Sequence, residues 1–365
     1  MKIAILGTRG VPNHYGGFEQ FAEYLTLGLV KRGFEVLVYN SHNHPHQDKE
    51  WNGAQIVHCY DPEYKLGTAG QFIYDFNCIL DVRKRKCDIV LQLGYTSSSV
   101  WGWMMPKKAV ITTNMDGLEW KRTKYSEKVK QFLRYAESLG VKYSDYLISD
   151  SIGIQNYLKE TYNAESTFIA YGATLFEKSD MDVIRKYNLE PYKYDMLIAR
   201  LEPENSIEII LDGVADAKLS RPFLVIGNHE TPYGNYFKQK FSSYEQIQFI
   251  GGIYKIKVLN NLRYYSNIYF HGHTVGGTNP SLLEAMASNS LICANDNDFN
   301  KYILGDDAIY FKDANEVKNH MVNIKYNDEK FQLMLGENKK KITNIYDWEL
   351  IVDQYAKHFS DIINQ

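Results

Sequence analysis

The sequence is poor in cysteine, nearly neutral in charge and free of long apolar runs. No two of its cysteines have the spacing of metal ligands, so we expect free thiols in a reducing, cytoplasmic environment. The four are Cys59, Cys78, Cys87 and Cys293. A net charge of −3 predicts no affinity for nucleic acid unless a local basic patch supplies it. No apolar run approaches the ~20 residues of a membrane-spanning helix, and Ile3–Gly7 is too short for a secretory signal.

The length and the order of the structural signals predict two domains. A chain of 365 residues is too long for one ordinary α/β domain and suits two. Strand and helix signals alternate from the first residue, which is typical of parallel α/β architecture. The first series of strands is predicted at Ile3–Leu6, Glu35–Tyr39, Asp88–Leu93, Lys108–Thr113, Tyr146–Asp150 and Phe168–Ala170. Helical periodicity at Phe18–Arg32, closed by Gly33, follows the first strand.

A second series begins near Lys193 and repeats this alternation. Its strands are predicted at Tyr194–Ala199, Phe223–Ile226, Ile247–Ile250, Ile268–Phe270, Leu291–Ala294 and Ala308–Phe311. Its clearest helices are predicted at Ser206–Ala217, Lys255–Tyr265, Pro280–Ala287 and Asn315–Lys325. The sequence therefore predicts two doubly wound units with a boundary near residues 172–190, followed by an amphipathic helix at Asp347–Ile363.

The first strand leads into a glycine-rich loop at Gly7–Glu19. Such loops bind phosphates because their backbone amides can approach an anion near a helix N-terminus. This loop lacks the G-x-G-x-x-G spacing and is too long for the turn of a dehydrogenase. The pair Gly16-Gly17 suits a backbone that lies against a bulky substrate. A glycine loop without a ligand is the alternative.

The segment His271–Met286 is the richest in binding signals. Asn279 and Pro280 are well placed as N-cap and first residue of a helix. Gly276 and Gly277, just before it, leave their backbone amides accessible. This combination predicts an anion site, with an ordinary capped helix as the alternative. Glu284 lies one turn further on and suits the hydroxyls of a ribose. Arg200, after the strand that opens the second unit, lies where open α/β sheets bind ligands.

These motifs together resemble the retaining glycosyltransferases of family 4, which have the GT-B fold. The resemblance covers nearly the whole chain and is carried, in order, by Gly16-Gly17, Arg200–Glu204, Pro280–Met286 and Trp348-Glu349. More narrowly, the chain resembles the bacterial rhamnosyltransferase-type subgroup, on the segments Gly7–Pro12, Tyr15–Glu19, Asn114–Arg122, Glu202–Asn205 and Gly276–Pro280.

The resemblance implies two Rossmann-like, doubly wound parallel-sheet domains that face a central cleft. It implies an acceptor-side domain at 1–175, a nucleotide-sugar-binding domain at 176–345 and a helix at 346–365 that packs back on the first domain. The implied catalytic residues are Asp116, Glu119 and Arg200. The implied donor-binding residues are Gly16, Gly17, Arg9, Arg200, Gly276, Gly277, Thr278, Asn279 and Glu284. The implied acceptor-side residues are Tyr15, Glu19, Trp120, Lys121 and Arg122.

Two departures from the broad family affect the charge of the site. The family pattern has two glutamates eight positions apart; here the first position is Gly276 and the second is Glu284. The family's second phosphate-binding cation, usually a lysine, is replaced by Asn205. Arg200 therefore lacks its usual partner, and a further cation has to be found. The candidates are Arg9, Lys121 and Arg122.

Asp116 and Glu119 follow a predicted strand of the first domain, and either can orient the acceptor hydroxyl or act as its base. A turn with a helix cap at Asp116-Gly117 is the alternative. The run Asp296-Asn297-Asp298 imitates a metal motif but is better interpreted as a polar loop. His271 and His273 suit donor contacts rather than a zinc site. Because arginine and a helix dipole can hold phosphates, we expect no metal and no other cofactor.

The basic run Arg83–Lys86 and the group Trp101–Lys108 suit contact with an anionic membrane surface. The alternative is that the basic run lies at a solvated helix end and that the Trp/Met group belongs to the core. We expect a cytoplasmic enzyme, peripheral on the inner face of the cell membrane. We expect it to transfer a hexose or deoxyhexose from a dTDP- or UDP-sugar donor to a saccharide or lipid-linked saccharide in cell-surface polysaccharide synthesis. The expected sugar is L-rhamnose, and the expected donor is dTDP-rhamnose. A nucleotide-sugar 2-epimerase of the same fold and a non-catalytic partner protein are the alternatives.

Overall fold

The computed structural model describes residues 1–326 and 328–364 and divides the chain into two compact units. Unit 1 comprises Met1–Lys121, Tyr125–Tyr171 and the C-terminal segment from Trp348. Unit 2 comprises Gly172–Asp347 together with the short segment Arg122–Lys124.

Unit 1 is built on a sheet that, in the described residues, has eight strands in the order β3-β4-β2-β1-β5-β6-β7-β8. All neighbours pair in parallel except β3 and β4. The strands are β1 (Lys2–Leu6), β2 (Glu35–Ser41), β3 (Glu50–Trp51), β4 (Ala54–Cys59), β5 (Ile89–Leu93), β6 (Val110–Asn114), β7 (Tyr146–Ser149) and β8 (Thr167–Phe168). Strand order reverses between β1 and β5, and a parallel α/β sheet binds ligands beyond the carboxyl ends of its strands at such a point.

The helices of unit 1 cover the sheet with apolar faces. They are α1 (Gly17–Lys31), α2 (Glu63–Leu66), α3 (Ala69–Val82), α4 (Glu127–Tyr143) and α5 (Ile152–Tyr162), with 3-10 turns at Ser99–Met104 and Glu119–Lys121. Central strands are buried along their length, as in β1 and β5, because helices lie over both faces of a parallel sheet. One core cluster joins Leu6, Tyr39, Val90 and Ile111 to Ile79 of α3.

Unit 2 repeats the plan with a parallel sheet whose described strands run in the order β11-β10-β9-β12-β13-β14. The strands are β9 (Asp195–Ile198), β10 (Phe223–Ile226), β11 (Ile247–Gly251), β12 (Tyr269–His271), β13 (Ile292–Asn295) and β14 (Ile309–Phe311). β9 and β12 pair directly, with Met196 opposite Tyr269 and Leu197 opposite Phe270. Strand order reverses between them, so the loops that follow β9 and β12 leave the sheet side by side.

The helices of unit 2 are α6 (Met181–Arg185), α7 (Ile207–Ala217), α8 (Pro232–Lys240), α9 (Ile256–Tyr264), α10 (Pro280–Ala287), α11 (Asp298–Leu304), α12 (Ala314–Asn323) and α13 (Glu329–Lys341). A 3-10 turn at Pro203–Asn205 precedes α7. The core cluster of this unit includes Leu197, Val225, Phe270, Cys293 and Phe311, one from each of five neighbouring strands.

The last helix, α14 (Trp348–Ile363), belongs to unit 1 and packs on α1. Gly28 of α1 leaves room for Val352, since a β-carbon at Gly28 would overlap that side chain. Trp348 stacks on Tyr24 with ring centroids 4.5 Å apart. The hydroxyl of Tyr355, which is fully buried, accepts a hydrogen bond of 3.0 Å from Nδ2 of Asn114 at the end of β6.

Each predicted strand overlaps an observed one, with ends that differ by at most two residues. The sequence did not predict the hairpin strands β3 and β4, and it gave no bounds for the helices α2–α6, α8, α11 and α13. β3 has only two residues, and β4 mixes exposed and buried positions without an apolar run. In the described residues, no helix has both the length and the apolar composition needed to cross a bilayer.

Candidate functional site

The loops that follow β9 and β12 form the candidate site of unit 2. Arg200 lies two residues beyond β9, is exposed, and has no ion pair with any described residue. Asn205 ties the two loops together, because its Nδ2 donates to the carbonyl of Arg200 at 2.7 Å and its Oδ1 lies 2.8 Å from Nδ1 of His273. Gly272 is required beside this bridge, since a β-carbon there would overlap the carbonyl of Asn205.

His273 is linked to the backbone of Arg200 through Asn205. Burial, together with the positive charges of Arg122 and Arg200, lowers the pKa of His273 to about 4. The imidazole is therefore neutral near pH 7. His271 is also buried, and burial lowers the pKa of its ring well below the ordinary value. Its Nε2 has no hydrogen-bond partner among the described residues.

The glycine-rich segment before α10 adopts the geometry predicted from the sequence. Gly276 has a φ of +140°, a conformation that favours glycine, and a β-carbon there would lie 3.0 Å from Nε2 of His273. Asn279 is the N-cap of α10, and its Oδ1 accepts from the amide of Ser281 at 2.9 Å. Pro280 is the first helical residue. The positive end of the α10 dipole therefore lies directly after Gly276, Gly277 and the buried Thr278.

Glu284, on the first turns of α10, pairs with an arginine that the sequence reasoning missed. Nη2 of Arg263 lies 2.7 Å from Oε2 of Glu284 and 2.9 Å from Oγ of Ser281. The Arg263 side chain is 1% exposed and that of Glu284 15%, so the pair is largely desolvated. A basic residue on the buried side of the amphipathic helix α9 was the available signal. The pair fixes the position of the Glu284 carboxylate on α10.

Arg122 and Glu204 form a second ion pair in unit 2. Nη1 of Arg122 lies 3.5 Å from Oε1 of Glu204, whose side chain is 1% exposed. Oε2 of Glu204 has no hydrogen-bond partner in the described chain. The neighbouring pair, Lys124 and Glu202, has an N–O distance of 3.3 Å and is more exposed on both sides.

In unit 1, Glu19 holds the start of the glycine-rich loop through hydrogen bonds. The buried carboxylate of Glu19 accepts from the amide of Arg9 at 2.9 Å and from the hydroxyl of Thr8 at 3.2 Å. The guanidinium of Arg9 makes a two-pronged contact with Glu63, at 2.9 Å and 2.7 Å. It also lies 3.8 Å from the ring centroid of Tyr15. Arg9 therefore has its charge matched within unit 1.

The remainder of the loop leads into the first helix. Gly16 is the N-cap of α1 and Gly17 its first residue, so both predicted glycines lie at the positive end of a helix dipole. The loop also contains a cis peptide bond between Val11 and Pro12.

Asp116 and Glu119 follow β6 of unit 1. Asp116 has a φ of +53°, and its amide donates to Oδ1 of Asn114 at 3.1 Å. The amide of Glu119 donates to the carbonyl of Gly117 at 2.9 Å and begins a 3-10 turn. Burial and then Glu137, which accepts a hydrogen bond from the Tyr95 hydroxyl at 3.0 Å, raise the pKa of that phenol, and the charges of Asp116 and Glu119 add a smaller effect. The turn at Asp116 and the carboxylates of Asp116 and Glu119 therefore belong to the same segment, and the two interpretations of that segment do not exclude each other.

The turn ends at an aromatic residue with cationic neighbours. The guanidinium of Arg134 lies 4.3 Å from the ring centroid of Trp120, and Nζ of Lys121 lies 5.5 Å from it. Cations over an indole face are attracted to its negative π cloud, so these contacts fix the orientation of Trp120.

Asp75, on α3, was also missed by the sequence reasoning. It is buried, and burial raises the pKa of its carboxyl to about 7. Its Oδ2 accepts from the hydroxyl of Ser97 at 2.5 Å. An acidic residue on the buried side of an amphipathic helix was the signal.

The run Asp296-Asn297-Asp298 connects β13 to α11. Asp296 pairs with Lys301 and with Lys312, Asn297 caps α11, and Asp298 is the first helical residue. No group of three or more histidines, cysteines or carboxylates in the described residues is arranged to hold a metal ion. The polar-loop interpretation agrees with this capping geometry.

Residues 1–174 match the model of a family described as a domain of unknown function, DUF1972. No curated protein matches the chain. Several solved structures are similar over its whole length. Sucrose-phosphate synthase from Thermosynechococcus elongatus has a TM-score of 0.80 at 17% identity and covers 100% of this chain and 99% of its own. Anabaena HepE, solved with UDP and glucose, has a TM-score of 0.78 at 15% identity and covers 99% of this chain and 100% of its own.

The α,α-trehalose-phosphate synthase (UDP-forming) from Burkholderia vietnamiensis is similar as well, with a TM-score of 0.72 at 12% identity over 99% of both chains. Likenesses of this extent at such low identity establish architecture. The chain has two parallel-sheet α/β units and the GT-B fold of these glycosyltransferase structures, as the sequence predicted.

Proposed function

We propose that this protein is a retaining glycosyltransferase of family 4 that uses a nucleoside-diphosphate sugar as donor. More specifically, it transfers L-rhamnose from dTDP-rhamnose to a saccharide or lipid-linked saccharide in cell-surface polysaccharide synthesis. One observation carries the proposal. In unit 2 an exposed guanidinium, Arg200, follows β9, and the positive end of α10 follows the glycines after β12, the strand that pairs with β9.

This arrangement matches the chemistry of a diphosphate. A guanidinium presents a planar fork of N–H donors to phosphate oxygens, and a helix N-terminus adds backbone donors and a positive potential. Gly276 and Gly277 carry no side chain that would keep an anion away. Glu284, held in place by Arg263, is an acceptor for the hydroxyls of the nucleoside sugar.

The solved relatives support the same donor class. The Anabaena HepE structures were determined with UDP and with UDP-glucose, and the trehalose-phosphate synthase is named as UDP-forming. The narrower assignment to rhamnose and dTDP rests on the sequence resemblance to the rhamnosyltransferase-type subgroup.

The proposed step is a same-face substitution at the anomeric carbon. The acceptor oxygen forms a bond to that carbon while the bond to the diphosphate oxygen breaks, and the diphosphate leaves with the electron pair. The acceptor proton passes to a phosphate oxygen or to a carboxylate. Asp116 or Glu119 orients the acceptor hydroxyl or takes its proton, and Arg200 and the α10 N-terminus stabilise the charge on the leaving group. No metal enters this step.

The surface of unit 1 around Trp103 suits contact with a membrane that carries the acceptor. Trp103 is 65% exposed on the turn that follows β5. Arg83, at the end of α3, donates to the carbonyl of Met104 at 2.6 Å and so brings the basic run beside this turn. The lysines at positions 84, 86, 107 and 108, in the same two segments of the chain, are exposed. An indole among cations suits the interface of an anionic bilayer, which is where a lipid-linked acceptor is found.

Thermal-shift titration with dTDP, UDP, GDP and their sugars tests the donor class directly. We expect stabilisation by dTDP-rhamnose above the other donors, because ligands that bind the folded state raise the melting temperature. Replacing Arg200 with Gln removes the proposed diphosphate contact and abolishes the shift. A wild-type protein that no nucleoside diphosphate stabilises would contradict the proposal.

Incubation of the bound donor without acceptor separates the alternatives. A transferase leaves the sugar nucleotide unchanged or hydrolyses it slowly, whereas a 2-epimerase converts it to its epimer. A non-catalytic partner protein binds the donor and neither transfers nor hydrolyses the sugar with any saccharide acceptor.

A further inference from the structure

One face of α3 lies at the edge of the unit 1 sheet where β1 and β5 end. The hydroxyl of Tyr74 donates to the carbonyl of Thr8, two residues beyond β1, at 3.0 Å. The carboxyl of the next residue, Asp75, contacts Ser97, four residues beyond β5. An open parallel sheet binds ligands at the carboxyl ends of its strands, where the strand order reverses as it does between β1 and β5. Side chains of α3 therefore lie at the ligand-binding edge of unit 1.

Asp75 has fewer partners than a buried carboxyl group needs. It is 6% exposed, and the Oγ of Ser97 donates to its Oδ2 at 2.5 Å. Among the described residues, no other hydrogen bond and no ion pair reaches this carboxyl group. A carboxylate offers about four acceptor positions on its two oxygens, and buried polar groups normally have their hydrogen bonds filled. Oδ1 of Asp75 is therefore available to a ligand.

Glu137, another buried carboxylate of unit 1, shows what a purely structural acid has around it. Its two oxygens accept from the phenols of Tyr95, Tyr157 and Tyr162 at 3.0, 2.6 and 2.7 Å. These donors compensate its desolvation. Asp75 lacks such a set of partners, and a buried acid that its own fold leaves unsatisfied is typical of a functional position.

The polar face of α3 continues at Gln71, one turn before Asp75. Nε2 of Gln71 donates to Oε1 of Glu63 at 2.8 Å, and Glu63 binds the guanidinium of Arg9. Gln71 and Asp75 thus connect α3 to the loop after β1 and to the loop after β5. The face presents both donors and acceptors, which a ligand with several hydroxyls requires, because each hydroxyl can donate and accept.

Exposed aromatic rings border this polar face. Tyr15 is 60% exposed, with its ring centroid 3.8 Å from the guanidinium of Arg9. Tyr64 is 61% exposed and follows Glu63 in the chain. A tyrosine ring offers an apolar surface and a polar tip, which suits the C–H face and the hydroxyls of a sugar ring. The combination of rings with amide, carboxyl and guanidinium groups therefore favours a saccharide over a lipid or an apolar ligand.

We propose that Asp75 and Ser97 bind a hydroxyl group of the acceptor saccharide, with Oδ1 of Asp75 as the hydrogen-bond acceptor. The inference rests on the proposed function, since it places the acceptor of that reaction on unit 1. Both residues act in binding and take no part in the bond exchange at the anomeric carbon. Burial raises the pKa of Asp75 to about 7, so both the carboxylate and the acid form are present near neutral pH, and a hydroxyl can pair with either.

Ligand-observed NMR titration of the full chain with the methyl glycosides of L-rhamnose, glucose, galactose and N-acetylglucosamine tests the assignment. Wild type binds at least one of the four. D75A removes both oxygens and raises the Kd for that glycoside about tenfold to a hundredfold, because a hydrogen bond to a charged group is lost. S97A also raises the Kd, and D75N, which keeps an acceptor for Ser97, falls between D75A and wild type.

The matched control is D81A, which removes the other aspartate of α3. Asp81 accepts from the hydroxyl of Tyr39 at 2.8 Å and pairs with Arg85. We expect its glycoside Kd to equal that of wild type. The Kd of D75A for dTDP and UDP also equals that of wild type, because the proposed donor site lies in unit 2. Melting temperatures establish that the variants are folded, and S97A and D75N decide the question if D75A does not fold.

A glycoside Kd that is unchanged in D75A and S97A, or that rises equally in D81A, overturns the assignment. A wild-type protein that binds none of the four glycosides overturns it as well. A wild-type protein that binds no nucleoside diphosphate defeats the proposed function itself, whereas diphosphate binding together with an unaffected D75A defeats this inference alone.

Discussion

Nη2 of Arg263 lies 2.7 Å from Oε2 of Glu284 inside unit 2, with the arginine side chain 1% exposed. The two residues belong to α9 and α10, and Ser281 completes the contact by accepting from the same guanidinium and lying 2.8 Å from the hydroxyl of Tyr269. The helix that carries the proposed anion site is therefore fastened at its first turns to the strand and helix that precede it.

Replacing Arg263 with Met should destabilise unit 2 strongly. It removes the cation from a desolvated carboxylate, a change that costs about 3–5 kcal/mol in buried pairs. We expect a large fall in the melting temperature measured by calorimetry. The double variant R263M/E284M leaves no buried charge and should recover much of the loss. Equal melting temperatures for wild type and R263M would contradict a structural role for the pair.

Replacing Asp116 with Asn should abolish transfer while donor binding stays intact. Asparagine tolerates the left-handed conformation at φ +53°, so the turn is kept and only the carboxylate is lost. Removal of a general base or hydroxyl-orienting group predicts a fall in kcat of about a hundredfold or more.

The control for Asp116 is D48N, the same change at an exposed aspartate of unit 1. Steady-state transfer rates and calorimetric donor affinities compare the two variants. Normal turnover in D116N would remove Asp116 from the mechanism and leave Glu119 as the acceptor-side carboxylate.

The protein should lose stability as the pH falls below about 6.5, the ordinary pKa of histidine. Burial and the nearby His14 lower the pKa of His44 to about 4, and burial with two arginines lowers that of His273 to about 4. When the pKa of a histidine is lower in the folded state than in the unfolded state, its contribution to stability is complete at pH values above the pKa of the unfolded state. That contribution declines as the pH approaches the folded value, because the unfolded chain takes up protons first.

Melting curves between pH 8 and pH 5 measure this dependence. H44N carries no titrating ring and should show a shallower decline in unit 1. A melting temperature that is constant over this range would show that the buried histidines do not stay neutral.

Transfer should survive removal of divalent cations, because arginines and a helix N-terminus hold the diphosphate in the proposed step. We expect full activity in EDTA. Complete loss of activity, restored by Mg²⁺ or Mn²⁺, would contradict the metal-free proposal, and the acid pair Asp296 and Asp298 would then become the first residues to replace.

The protein should co-sediment with vesicles that contain anionic lipid, through the surface around Trp103. Replacing Trp103 with Ser, or Lys84 and Lys86 with Gln, should reduce the bound fraction at low salt. Y254S, a loss of another highly exposed aromatic, serves as the control. Equal sedimentation of W103S and Y254S would exclude this surface as the membrane contact.

The sequence predicted the elements whose signals are local and periodic. Buried runs such as Phe223–Ile226 were found at their observed bounds, and the Asn279 cap followed from helix-start chemistry. The strand β4 was missed because its residues alternate irregularly between exposed and buried positions. Pairings such as Arg263 with Glu284 were missed because they join residues from different helices, and spacing along the chain carries no information about them.

The candidate cations illustrate the same limit. Arg9, Lys121 and Arg122 are equivalent in a sequence, since each is a basic residue in a motif of the subgroup. Only the fold shows that Arg9 pairs with Glu63 in unit 1 and that Arg122 pairs with Glu204 in unit 2.

The placement of α14 has a consequence for biosynthesis. Tyr355 and Phe359 are fully buried in unit 1, yet they leave the ribosome after every residue of unit 2. Until α14 has been synthesised, α1 and the end of β6 therefore stay uncovered. During that interval their apolar surface is open to aggregation and to chaperones, and a nonsense mutation before codon 348 would leave that surface uncovered permanently.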